Sequence, residues 1–130
     1  MIVGEWVGFF SRSLFYYNFL VLLTMMPPES PIGKSLDAAE FIIAVFNSAV
    51  QLIDLRTCSA YHQWHLYNAI NIDFFTLKVF ENSFECFDRN EPIFIYCQTG
   101  QCSKIAKEEL MDIGFEEVYD LNGGIRALKN

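Results

Sequence analysis

From about residue 33 onward, short continuous apolar runs alternate with segments whose apolar residues recur at helical spacing. Continuous runs of four or five residues are typical of strands buried on both faces, whereas spacing of three and four indicates a helix with one buried face. The predicted strands are Lys34–Leu36, Gln51–Leu55, Ala69–Ile72, Pro92–Tyr96 and Val118–Leu121. The predicted helices are Ala38 to about Asn47, Ser59–His65, Leu77–Phe87, a helix capped by Ser103 that runs to Met111, and a short one after Gly124.

Strands that alternate with helices, without hairpin signals, predict an α/β fold with a parallel sheet covered by helices on both faces. Asp37 is expected to cap the first helix, and Gly114 to end the helix that Ser103 begins. Ligands of such sheets bind at the carboxyl ends of the strands. Cys97 directly follows the most hydrophobic strand, so we expect it at that edge.

The first thirty residues differ in character from the rest. Residues 6–26 are almost wholly apolar and aromatic, interrupted by Arg12, and prolines follow them. The run is marginally long enough to span a bilayer, but a buried arginine is costly there, and no small-residue cleavage site precedes the prolines. Three interpretations stay open: a signal anchor, a helix packing on a membrane surface or in an oligomer, and upstream sequence included because translation was assigned to Met1. We place this segment at 1–32 and the functional domain at 33–130.

Composition limits the partners. The chain has 130 residues, 52% of them hydrophobic, with a net charge of -7, which suits one well-filled domain and opposes binding to nucleic acid. Membrane contact is expected only through residues 6–26. The four cysteines Cys58, Cys86, Cys97 and Cys102 show no zinc spacing, so we expect free thiols in the cytoplasm, with membrane anchoring as the alternative.

The segment from Cys97 to Cys102 carries the candidate chemistry. A loop between a strand and a helix can turn successive backbone N–H groups toward one point, and the helix adds its positive N-terminal end. A cysteine held there has a stabilised thiolate and is a nucleophile. Gly100 permits the tight turn, and Ser103 is expected to hydrogen-bond in the site. The alternative is that Cys97 is simply a small buried apolar residue.

Five segments together resemble the single-domain rhodanese family. They are LIDLRT (52–57), HLYNAINI (65–72), IYCQTG (95–100), GF with Val118 (114–118) and LNGGI (121–125). The resemblance implies a rhodanese-like central parallel sheet of five strands, flanked by helices, and an active loop from Cys97 to Cys102.

The resemblance also implies sulfur transfer without a metal or organic cofactor. Cys97 takes sulfane sulfur from a donor and holds it as a persulfide for a thiol or other nucleophilic acceptor. The persulfide-binding residues are Gln98, Thr99, Gly100, Gln101, Cys102 and Ser103. Asp54, Arg56 and His65 are expected to orient the loop.

The sequence departs from the family at four positions. Cys102 stands where family members usually have arginine, which argues against thiosulfate as the donor. Ala60 replaces an acidic residue, so Arg56 is expected to lack its usual carboxylate partner. Trp64 replaces a glycine and is expected to block or reshape the mouth of the pocket, and Leu128 replaces a tryptophan.

Two alternative functions follow from these departures. Cys102 can act as a resolving thiol that forms a disulfide with Cys97, or the domain can be a non-catalytic binding module. For Cys102 itself, a neutral replacement of the arginine stays open as the alternative to a resolving thiol. Phosphatase activity ranks low, because the active loop of phosphatases with this fold is one residue longer and ends in an arginine that binds phosphate. The loop from Cys97 to Cys102 has neither feature.

Overall fold

The computed structural model describes residues 14, 16–25, 30–76 and 82–129. Its centre is a sheet of five parallel strands in the order β1-β5-β4-β2-β3. The strands are β1 (Ile32–Leu36), β2 (Gln51–Asp54), β3 (Ile70–Asn71), β4 (Ile93–Tyr96) and β5 (Glu117–Leu121). The α/β class, the parallel sheet and its five strands are therefore as predicted.

Beyond residue 30, the described residues include three complete α-helices and a final 3-10 helix, which follow from local sequence signals. They are α1 (Ala38–Asn47), α2 (Cys58–Gln63), α3 (Gln101–Asp112) and the 3-10 helix Gly124–Leu128. Asp37 caps α1 as predicted, since its side chain accepts from the Glu40 N–H at 2.8 Å and Glu40 bonds back to the Asp37 N–H. Gly114, with φ of 107°, lies just beyond the end of α3.

The central strand β4 separates two apolar layers. Ile93 and Ile95 face a cluster that includes Ala106 and Leu110 of α3, and Cys97 belongs to this cluster. Phe94 and Tyr96 face the opposite cluster, which includes Phe41 of α1 and Ile125 of the 3-10 helix. Helices thus cover both faces of the sheet, and the end of β4 is the junction of the two layers.

Two predicted elements need correction. Helix α3 begins at Gln101 with Gly100 at its N-cap, so Ser103 is the third helical residue and not the cap. The reason is that Gly100, with φ of 90°, already completes the turn out of the loop. The predicted helix Leu77–Phe87 lies outside the described residues at 77–81. Residues 82 and 83 are helical as predicted, but Phe84–Phe87 form turns and a bend instead of a helix.

The described part of the N-terminal segment is helical at residues 16–25. Its large apolar side chains are at least half exposed, including Tyr16, Leu20 and Leu23. Among the described residues, no helix is both long and apolar enough to cross a bilayer. The division of the chain into 1–32 and 33–130 stays a prediction.

Candidate active site

The Cys97 sulfur lies inside the loop that joins β4 to α3. The side chain is only 4% exposed. The N–H of Gly100 donates to its Sγ at 3.1 Å, the N–H of Ser103 donates at 3.4 Å, and the Cys97 thiol donates to Ser103 Oγ at 3.5 Å. Because two amides and the start of α3 converge on this atom, the loop is built to hold a negative charge on sulfur.

Glycines hold the loop against the C-terminal 3-10 helix. A Cβ on Gly124 would come within 2.5 Å of the carbonyl carbon and oxygen of Gln98, so only glycine allows this approach. Beyond it, the Ile125 N–H donates to the Cys97 carbonyl at 2.8 Å and the Arg126 N–H donates to the Gln98 carbonyl at 3.2 Å. The LNGGI segment therefore clamps the loop from behind, a role that sequence reasoning missed.

A cavity of about 400 Å³ opens beside Cys97. The loop forms one wall through Cys97, Gln98, Thr99, Gln101 and Cys102, and the other wall consists of Leu55, Arg56, Thr57, Ala60 and Phe75. Cys102 is half-buried and packs against the same apolar cluster as Cys97. Burial raises the pKa of the Cys102 thiol, and the Cys97 charge raises it further.

A buried carboxylate fixes the second wall. Asp54 is fully buried and accepts from the Arg56 side chain through Nε at 3.1 and 3.2 Å and Nη2 at 2.8 Å. It also accepts from the Arg56 backbone N–H at 2.8 Å and from the Tyr96 hydroxyl at 2.7 Å. Burial opposes the charged form of Arg56, but the hydrogen bond and charge of Asp54 still raise its pKa. For Tyr96, burial and the bond to Asp54 raise the pKa, against a lowering by the Leu66 N–H.

A second buried ion pair lies beneath the loop. Lys107 Nζ is 2.8 Å from Asp120 Oδ1, and the Ser35 hydroxyl donates to the same oxygen at 2.6 Å. The other oxygen, Oδ2, lies 3.5 Å from Ser103 Oγ. Ser103 thus touches both the Cys97 sulfur and this ion pair, which links the loop to α3 and β5.

The chain matches the family model described as "Rhodanese-like domain" over residues 37–130. This is a rhodanese-like domain protein. It is 30% identical over 80 residues to "Thiosulfate sulfurtransferase GlpE" of Coxiella burnetii, a match that covers 62% of this chain and 72% of that protein. It is 31% identical over 106 residues to "tRNA uridine(34) hydroxylase" of Cytophaga hutchinsonii, covering 79% of this chain but only 34% of that longer protein.

Solved rhodanese-like structures share the fold. The "Rhodanese-like Domain Protein from Staphylococcus aureus" superposes with a TM-score of 0.63 at 29% identity, covering 72% of this chain and 89% of that one. A human single-domain sulfurtransferase superposes with a TM-score of 0.64, covering 73% and 94%. At 14% identity, the human protein speaks for the fold alone.

Alanine at position 60 leaves Arg56 without a carboxylate from that position, and Asp54, two residues before Arg56, pairs with it instead. The expectation that Trp64 blocks or reshapes the mouth of the pocket is wrong. Trp64 does not line the Cys97 cavity. Trp64 is 51% exposed and borders a separate hollow. Its backbone carbonyl accepts a short hydrogen bond from Arg56 Nη2 at 2.5 Å.

His65 belongs to the same separate hollow and not to the Cys97 cavity. Its Nδ1 lies 2.8 Å from the Tyr61 carbonyl, and its ring stacks on the Tyr61 ring with centroids 3.7 Å apart. These contacts fix the segment that follows α2.

Cys58 and Cys86 are exposed, and all four thiols are free.

Proposed function

We propose that this rhodanese-like domain is a sulfurtransferase that carries sulfane sulfur as a persulfide on Cys97 and delivers it to a thiol or other nucleophile. One observation carries the proposal: a buried cysteine sulfur receives two loop amides, at 3.1 and 3.4 Å, and adjoins an open cavity. A buried apolar cysteine without a role in chemistry has no need of amides aimed at its sulfur. The names of curated relatives such as GlpE support the same activity.

Transfer then takes two displacement steps. The Cys97 thiolate attacks the outer sulfur of a donor R–S–S⁻, the S–S bond of the donor breaks, and RS⁻ leaves with the electron pair. The persulfide formed keeps one negative charge, which the Gly100 and Ser103 amides and the start of α3 stabilise. An acceptor thiolate next attacks the outer sulfur and returns Cys97 as a thiolate.

The remaining residues position the loop and the cavity. Asp54, fixed by Tyr96 and Arg56, holds the turn that follows β2. Gln98, Thr99 and Gln101 border the space in which the outer sulfur and its donor meet. His65 is assigned to orienting the segment after α2, since it has no contact with this space.

The charge of the cavity favours a persulfide or polysulfide donor. Among the described residues that line it, Arg56 alone is charged, and its guanidinium is bonded to Asp54. A doubly charged donor such as thiosulfate finds no uncommitted cation on these walls, and the net charge of the chain is -7. We therefore expect a higher kcat/KM for a singly charged organic persulfide than for thiosulfate.

A turnover assay tests the function. Purified protein is given an organic persulfide and a thiol acceptor, and sulfide release from the acceptor persulfide is followed. Wild type and Cys86→Ser, which changes an exposed thiol away from the cavity, should turn over equally, whereas Cys97→Ser should fall to the uncatalysed rate. Equal rates for Cys97→Ser and wild type would contradict the proposal, and absence of turnover with any donor would favour a binding module.

A further inference from the structure

The Cys97 cavity contains a second thiol. Cys102 lines the same cavity and packs against the same apolar cluster as Cys97. The next residue, Ser103, places its backbone nitrogen 3.4 Å from the Cys97 sulfur. Standard peptide dimensions then put the Cα of Cys102 within about 6 Å of that sulfur. A cysteine side chain on this Cα is within reach of the Cys97 sulfur after a rotamer change and a small movement of the loop.

We propose that Cys102 is a resolving thiol, which makes this site release sulfide and close to a Cys97–Cys102 disulfide when no acceptor takes the sulfur. The inference rests on the proposed function, because it requires the Cys97 persulfide. It adds to that function a second outlet for the sulfur and a redox state in which the carrier is switched off.

The step balances in atoms and electrons. The Cys102 thiol gives up its proton as its sulfur attacks the Cys97 Sγ, and the bond between that sulfur and the anionic outer sulfur breaks. The outer sulfur leaves with the electron pair and takes up the proton from Cys102, so that it is released as HS⁻. The sulfane sulfur gains two electrons, formally one from each cysteine. An external thiol, two equivalents per disulfide, restores both cysteines by exchange.

The environment of Cys102 makes the step slow at neutral pH. Burial and the neighbouring Cys97 charge raise the pKa of Cys102, so most of it is protonated while the carrier is waiting for an acceptor. An acceptor thiol therefore has time to compete.

A single-turnover experiment tests the inference. Wild type and Cys102→Ser are loaded anaerobically with inorganic polysulfide, freed of donor, and followed by intact-mass spectrometry and sulfide measurement. Wild type should lose its added sulfur, release one sulfide and end two hydrogens lighter than the reduced protein. In Cys102→Ser, and in Cys102→Ala as a second variant, the persulfide should decay roughly tenfold more slowly, because the intramolecular thiolate is gone.

The controls separate this inference from the function beneath it. A Cys58→Ser/Cys86→Ser variant should behave as wild type, and loss of the disulfide in that variant would assign it to the wrong thiols and overturn the inference. Equal sulfide release in wild type and both Cys102 variants, with every protein loaded, would overturn it while leaving the carrier function intact. Failure of all variants to take up sulfur would refute the carrier function and the inference together.

Discussion

Replacing Lys107 by methionine removes one member of the buried ion pair beneath the active loop. Asp120 is fully buried and Lys107 is 8% exposed. The substitution keeps the apolar stem of Lys107 but leaves the Asp120 carboxylate without its cation at 2.8 Å. The Ser35 hydroxyl still donates to the carboxylate at 2.6 Å, so the charge is hydrogen-bonded but not neutralised.

Breaking a buried pair in this way costs about 3–5 kcal/mol, because the surviving charge has no counterion in a medium of low dielectric. The remaining Ser35 bond places the expected loss of unfolding free energy at the lower end, about 3 kcal/mol. That is a large share of the roughly 5–15 kcal/mol that stabilises a domain of this size. A Lys107→Met/Asp120→Leu variant leaves no unpaired buried charge, so its unfolding free energy should recover to within about 1 kcal/mol of that of wild type.

Equilibrium unfolding in urea measures these differences through the midpoint at constant m-value. Lys104→Met, on the exposed side of the same helix, is the matched control and should shift stability by no more than about 0.5 kcal/mol. If Lys107→Met is as stable as this control, or if the double variant is no more stable than the single one, an unpaired Asp120 charge does not destabilise the fold.

Three further predictions concern the loop and its supports. Gly124→Ala should lower turnover and stability well beyond Gly123→Ala. Both glycines have positive φ and share a strain cost of about 1 kcal/mol, but only a Cβ on Gly124 would meet the Gln98 backbone at 2.5 Å. Equal effects of the two substitutions in the turnover assay would contradict the clamp. Tyr96→Phe removes a buried hydroxyl with two partners and should lower the unfolding free energy by about 1–3 kcal/mol in urea titrations; a loss below about 0.5 kcal/mol would show that these bonds contribute little. Because the pKa of Cys102 is raised, the rate of disulfide closure from the preloaded persulfide should keep increasing as the pH rises past the usual cysteine range near about 8.5. A rate that reaches a plateau below that range, followed by mass spectra of samples stopped at successive times, would contradict this expectation.

The sequence was sufficient for the order of elements because each carries its own local signal. Asp37 predicts the start of α1, and the apolar run that ends at Tyr96 predicts the central strand and therefore places Cys97 at the edge of the sheet. The prediction that Ser103 caps α3 was wrong for a physical reason. Serine favours N-caps, but Gly100, three residues earlier and with positive φ, already stands at the N-cap.

Contacts between residues far apart in the chain were not predictable in the same way. Nothing local pairs Lys107 with Asp120 across α3 and β5. The LNGGI segment did carry a signal for the clamp, since two adjacent glycines after a strand indicate positive φ or a close backbone approach. Only the fold shows that the backbone approached is the active loop.

Site-resolved mass spectrometry tests whether Cys97 is the residue that carries the sulfur. Cys102→Ser protein is incubated with an organic persulfide, blocked with an alkylating reagent, digested and mapped. We expect one added sulfur on the peptide containing Cys97, which is lost when an acceptor thiol is added and is absent from Cys97→Ser/Cys102→Ser. Sulfur found mainly on Cys58 or Cys86, or none on Cys97 under conditions that persulfidate those exposed thiols, would contradict the account.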